Sequence, residues 1–179
     1  MAVLERGEAI GALQEAQREG KTRYIGYSGD NDAAEWAVRS GLFDTLQTSF
    51  NLVDQKARFK LFAEAKAQGM GVIIKRPIAN SAWGAVESPS DYADGYFERA
   101  QRMRAAEPLP DAPADRIALA LGFTLTHDAV DVAIVGTKTP KYMRSNVEFV
   151  EMGMRLSDAT MAELHRRFEN LGRDWPQLT

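Results

Sequence analysis

The chemistry-bearing residues of this sequence fall just after short apolar runs. Gly136-Thr137-Lys138 is the clearest group, following Val132–Val135 and preceding Pro140. Proline suits the first position of a helix, where its missing N–H is not needed. A strand that hands over to a helix start through such a corner offers free backbone N–H groups and the positive end of the helix dipole. Lys138 adds a full charge. The chemistry implied is the holding of a phosphate or another anion. Lys75-Arg76-Pro77 is a second group, two cations after a β-branched run. Their desolvation requires a carboxylate or an anionic ligand, and spacing alone leaves a salt bridge and a ligand contact equally open. Ser28, Gln47, Asn51 and Asn80 occupy similar places at or after apolar runs.

Several other chemistries have no support in the sequence. Gly26-Tyr27-Ser28-Gly29 lacks the third glycine of a dinucleotide fingerprint, and Gly69-Met70-Gly71 precedes its apolar run instead of following it. His127 and His165 are the only histidines and neither has a partner at ligand spacing, so no metal site is expected. His127 reads as a helix-end residue bonded to terminal carbonyls. His165, beside Arg166 and Arg167, reads as solvated surface. Arg99, Arg102 and Arg104, flanked by Glu98 and Glu107, read as a solvated helix face. Asp30 and Asp32 read as helix caps. No Gly-x-Ser-x-Gly or Ser-His-Asp arrangement is present. The absence of cysteine excludes disulfide and thiol chemistry. A net charge of −3 argues against nucleic acid or an anionic membrane as a partner. Glu5 and Glu8 stand where a signal peptide needs an apolar core, and no apolar run is long enough to cross a bilayer. A cytoplasmic protein is expected, folded as a single domain over residues 1–179.

The elements that must position these residues alternate. Helices are expected from Arg6 to Glu19, after Asp30 or Asn31 as cap, from about Gln55 to Gln68, near Tyr92–Arg104, from Asp115 to His127, from Pro140 to Glu151 and from Ser157 to Leu171. Strands are expected at Arg23–Ser28, Asp44–Phe50, Gly71–Lys75 and Val132–Val135. Gly20, Gly41 and Gly69 supply the helix stops. Short apolar strands alternating with helices imply a parallel sheet, with the polar residues gathered at its C-terminal edge, where α/β folds carry their sites. An α/β barrel and an open doubly wound sheet both fit. Four strands are half of an eight-stranded barrel, and alone they would leave one face and two edges uncovered.

Taken in order, Arg23–Asp30, Gln47-Thr48-Ser49-Phe50-Asn51, Gly71–Asn80 and Ala133–Asn146 resemble the last four strands and exit loops of the aldo-keto reductases. The resemblance implies the C-terminal half of a (βα)8 TIM barrel, four parallel strands with their helices. It further implies a carbonyl-reducing oxidoreductase using NADPH, with NADH not excluded. By resemblance Ser28 and Gln47 meet the nicotinamide carboxamide, and Lys75 lies where many members place an aromatic ring against it. Arg76, Ile78 and Asn80 belong to the loop over the pyrophosphate. Gly136, Thr137 and Lys138 hold the adenosine phosphate, with Ser145 and Asn146 on the adenine side. The basic residue that many members use for the 2′-phosphate would fall near Tyr142. Gly29 stands where the family often has asparagine. The family's catalytic Asp, Tyr, Lys and His come from strands upstream of this region, so no catalytic residue is expected here and the chain alone should be inactive. The alternatives are a non-catalytic nucleotide-binding or assembly module, completed by self-association or by a separate N-terminal half, and an unrelated α/β domain binding some other phosphate.

Overall fold

The computed structural model describes residues 2–106, 108–153 and 155–178. Four strands, β1 (Gly26–Ser28), β2 (Thr45–Ser49), β3 (Gly71–Lys75) and β4 (Val132–Ile134), form one sheet in sequential order with every pairing parallel. Eight α-helices accompany them among the described residues: α1 (Ala2–Arg6), α2 (Glu8–Arg18), α3 (Asn31–Ser40), α4 (Leu61–Ala67), α5 (Asp94–Arg104), α6 (Arg116–Thr126), α7 (Pro140–Glu151) and α8 (Asp158–Gly172). This is the expected α/β architecture.

Where the elements depart from expectation, a local cause is visible. The first helix is split because Gly7 adopts φ 75°. β1 starts only at Gly26, since the Asp44 carboxylate takes the Ile25 N–H at 2.8 Å before the ladder begins. The helix expected from Gln55 opens as a 3-10 turn over Lys56–Phe59, and Lys60 (φ −151°) interrupts it before α4. Asp30 does precede α3, but its carboxylate makes no capping bond. The helices expected from Asp115 and from Ser157 begin there, with Asp115 accepting from the N–H groups of Ile117 and Ala118 and Ser157 from that of Thr160.

Register separates the two faces of the sheet. Tyr27, Leu46 and Val72 share one row on the side of the helix layer and Thr48, Ile74 and Ala133 the next, and Leu46, Val72 and Ile74 are fully buried there. Ser28, Gln47, Ile73 and Val132 form a row on the opposite face, with Ser49, Lys75 and Ile134 the next row along. That face is open: Val132 is 49% exposed and Ile134 50%. Gly26 belongs to it, where a Cβ would meet Thr45 Oγ1 at 2.2 Å. The core lies on the helix side. Phe50, at the end of β2, is fully buried between Phe62, Phe123 and His127, with ring centroids 4.7–5.5 Å apart. His127 Nδ1 donates to the Phe123 carbonyl at 2.8 Å, the helix-end role expected of it.

His165 departs from expectation. It is half-buried, 3.0 Å from His127 Nε2 and edge-on to Phe123. Burial first, and then the nearby Arg58 charge, lowers its pKa to about 4. With Nδ1 of His127 donating to a carbonyl, the neutral tautomers leave His127 Nε2 to accept from His165.

Truncating the ring at the centre of this cluster tests the packing. Phe50→Ala is expected to destabilise the fold by about 3–5 kcal/mol, read by chemical denaturation at neutral pH. A loss below about 1 kcal/mol would mean that the cluster is not a packed core.

Candidate functional site

The C-terminal edge of the sheet carries two distinct arrangements. The first is built on Asp30, whose side chain is fully buried. Its Oδ1 accepts from Thr48 Oγ1 (2.9 Å) and the Ser49 N–H (2.7 Å), and its Oδ2 pairs with Lys75 Nζ at 2.9 Å. The carboxylate therefore joins the exits of β1, β2 and β3. Of the two readings open for Lys75-Arg76, the salt bridge is present. Arg76 stands only 4.0 Å from Asp30 and takes a left-handed backbone, φ 58°. Its guanidinium bonds to Ser49 Oγ at 3.1 Å, to the Tyr92 hydroxyl and to the carbonyl of Leu178 at 2.7 Å.

That last partner belongs to a C-terminal segment, Trp175–Leu178, which crosses the strand ends. Gln177 is buried and donates to the Ser49 carbonyl at 2.7 Å and to Thr48 Oγ1 at 3.1 Å, while Asn31 and Gln177 exchange backbone and amide bonds. Arg99 was expected on a solvated face. It is buried instead, stacked over Trp175 at 4.8 Å and bonded to the Pro176 carbonyl at 2.7 Å. Glu107, which flanks that arginine group in the sequence, lies outside the described residues.

Asp54 completes this arrangement. Its Oδ2 accepts from the Leu178 N–H at 2.9 Å, Arg99 Nη1 stands 4.0 Å away, and Oδ1 has no hydrogen-bond partner. Burial raises its pKa to about 7, against the lowering effects of the Leu178 N–H and the Arg99 charge.

The second arrangement is a cleft of about 600 Å³ between the exit of β4, the first turns of α6 and α7, and the loop after β3. Ile78, Gly136, Thr137, Tyr142, Ser145 and Asn146 line it together. Thr139, the residue before α7, makes no side-chain capping bond, so the N–H groups of that helix start are not used by a cap. The Thr137 hydroxyl accepts from the Thr139 N–H at 3.2 Å and shapes the corner. A Cβ on Gly136 would meet nothing within 4 Å, which leaves the backbone there open to a ligand. Asn80, in the loop after β3 but not among the cleft's walls, holds a left-handed conformation (φ 51°) with its Nδ2 buried and unpartnered.

The remaining residues singled out by sequence lie outside this cleft. Ser28 and Gln47 are register neighbours on the open sheet face, the first exposed and the second half-buried. Lys75 and Arg76 belong to the Asp30 cluster, and Lys138 is exposed beside Thr137. Arg116 and Lys141 line the cleft and were not singled out in the sequence. Their signal was available, since each stands in the first turn of a helix that follows a loop. Among the described residues no group of three or more potential ligands could hold a metal ion, and no helix is long and apolar enough to cross a membrane.

The sequence matches the Aldo/keto reductase family over residues 4–167. The chain belongs to the aldo/keto reductase family. It is 27% identical over 162 residues to a pyridoxal 4-dehydrogenase of Microbacterium luteolum, covering 84% of this chain and 46% of that protein. Its fold is similar to that of an aldo-keto reductase of Bacillus halodurans in the holo form, with a TM-score of 0.68 at 20% identity, covering 89% of this chain and 55% of that one. The apo form of the same reductase aligns with the same score over 88% of this chain. The chain thus spans about half the length of these relatives, and its four parallel strands and helices account for about half of an aldo-keto reductase barrel.

The Asp54 environment makes a pH test possible. A carboxyl with a folded pKa above its unfolded value favours the folded state fully at low pH, and that contribution is lost as pH rises from about 3.8 through about 7. The stability difference between the chain and Asp54→Asn should therefore shift in favour of the variant over that range, by up to a few kcal/mol. Denaturation midpoints at a series of pH values read it; parallel profiles for the two proteins would refute the assignment.

Proposed function

We propose that this chain is the C-terminal, cofactor-binding half of a carbonyl-reducing aldo-keto reductase and that its cleft receives the adenosine end of NADPH. The observation that carries this reading is the convergence of six residues on one cleft, Ile78, Gly136, Thr137, Tyr142, Ser145 and Asn146, at an uncapped helix start. The donor set suits a phosphorylated nucleoside. Backbone at the Gly136–Thr137 corner suits a phosphate, Lys138 stands exposed beside the cleft, and Asn80, in the neighbouring loop after β3, has a buried amide that lacks a partner. Arg116 and Lys141 line the same cleft and favour an additional phosphate, hence NADPH over NADH.

On this reading Ser28 and Gln47, neighbours on the open face, meet the carboxamide of the nicotinamide, and Lys75 and Arg76 lie along the path between the two ends. When bound, the cofactor supplies a hydride. This chain's own residues bind and orient it. Proton transfer to the carbonyl oxygen belongs to side chains outside the four strands described, and the chain by itself is expected to show no turnover.

A second reading, a nucleotide-binding module completed by another half-barrel, draws on the exposure of Val132 and Ile134. A second copy is a poor complement. Because α2 precedes β1 and α7 follows β4, two copies would bring two helices to each new β4–β1 junction, where a barrel seats one. A half carrying four strands and the three helices between them fits better.

Fluorescence titration with NADPH tests the main reading. Saturable binding is expected, weakened roughly five-fold by Lys138→Ala, the equivalent of about 1 kcal/mol for a charge at a helix start. Binding to NADH should be weaker than to NADPH and insensitive to Arg116→Ala. No saturable signal with either cofactor would overturn the proposal, and turnover of an aldehyde by the chain alone would overturn the division of labour.

A further inference from the structure

The strand-end cluster is short of negative charge. Lys75, Arg76 and Arg99 share two carboxylates, Asp30 and Asp54. Asp30 is committed to Lys75 at 2.9 Å, which leaves Arg76 at 4.0 Å from it, and Asp54 stands 4.0 Å from Arg99. Burial holds Asp54 protonated over much of the range below neutrality. What surrounds the Arg76 guanidinium at hydrogen-bond distance is neutral: a serine hydroxyl, a tyrosine hydroxyl and the Leu178 carbonyl. A largely buried guanidinium whose nearest acceptors are all neutral is costly, and an anion in their place would offset that cost.

The Leu178 carbonyl occupies the point where such an anion would sit. Arg76 Nη1 at 2.7 Å and the Tyr96 hydroxyl at 3.3 Å both donate to it, and Ser49 Oγ lies 3.4 Å away. Trp175 and Leu178 of the segment that delivers this carbonyl pack partly buried against the core, Trp175 on Phe168 and Arg99, and the backbone and Gln177 between them are held by polar contacts. These polar anchors are the Gln177 amide, the Leu178 N–H on Asp54 and the Pro176 carbonyl on Arg99. Hydrogen bonds of this kind each contribute about 1 kcal/mol net and can be exchanged.

We infer that Trp175–Leu178 is a displaceable strap, and that it competes with an oxyanion, phosphate or carboxylate, for Arg76, Tyr96 and Ser49. The strap holds the cation centre closed, and an anion entering at Arg76 expels the Leu178 carbonyl and frees the segment. This inference rests on the reading of Arg76 as a ligand-facing cation and adds to it a closed state that the chain makes with its own tail.

Amide exchange of the full chain, followed by mass spectrometry, reads the strap directly. Saturating inorganic pyrophosphate or succinate, with binding followed by calorimetry, is expected to speed exchange at Gln177 and Leu178 by roughly ten-fold, the equivalent of about 1.4 kcal/mol. Which of the two anions does so identifies the ligand class. Gln177→Ala, which removes only strap contacts, should bind the same anion roughly five-fold more tightly, and Arg76→Gln should abolish the response. Unchanged exchange at saturation, equal affinity in Gln177→Ala, or no binding of either anion would each overturn the inference. Adenosine monophosphate, which carries no pyrophosphate, reports on the cleft separately. Its binding without an anion effect at the strap would sink the strap and spare the cofactor reading.

Discussion

The buried Asp30 carboxylate is the point on which the polar edge of this molecule depends. It stands where β1 turns into α3, yet it leaves the helix start uncapped and serves the next two strands instead, through Thr48, the Ser49 N–H and Lys75. A buried carboxylate is tolerable only when its lone pairs are filled, and here two adjacent strands and a lysine fill them. The consequence is geometric. The exits of β1, β2 and β3 are tied to one atom group, and Lys75 and Arg76 are held side by side at the edge where an α/β sheet places its ligands. The strap closes over the same group, since Gln177 bonds to Thr48 and to Ser49 beside it.

The second constraint is the sheet that is only half covered. On the helix side, Leu46, Val72 and Ile74 are fully buried in one core with Phe50, Phe62 and Phe123. On the other side, Val132 and Ile134 meet solvent and both outer strands keep free edges. Parallel sheets are ordinarily covered on both faces. The relatives, of whose length this chain spans about half, carry further chain beyond the matched region. The open face and the cleft therefore differ in kind. One is an exposed apolar sheet face, and the other is a concave site with its own polar donors.

Much of the fold was legible in the sequence because the relevant signals are local. Gly20, Gly41 and Gly69 each adopt positive φ at a helix end, as their spacing implied, and Pro140 opens α7 at the expected residue. Gly71–Lys75 forms β3 with the expected bounds, since its β-branched residues suit a buried strand. The helices expected from Asp115 and Ser157 begin at those residues for the same reason: each start is fixed by a side chain that bonds within a few residues of chain. The family resemblance was legible too, as a succession of strand exits that the family match later covered.

What the tertiary structure alone decided is which partner each polar side chain finds. By type and position Asp30 was a helix cap, Arg99 a solvated cation and His165 a surface residue. Each is instead buried or half-buried against a residue distant in sequence: Thr48 and Lys75, Trp175 and Pro176, His127. Local pattern cannot report such choices, because a side chain's partner depends on where the chain returns, and Pro176 reaches Arg99 from 77 residues away. The corner at Gly136–Lys138 lies between these cases. Sequence marked it as a candidate anion-binding turn through proline, glycine and lysine at fixed spacing. Only the fold brought Ile78, Arg116 and Lys141 to its walls and made the turn part of a cleft.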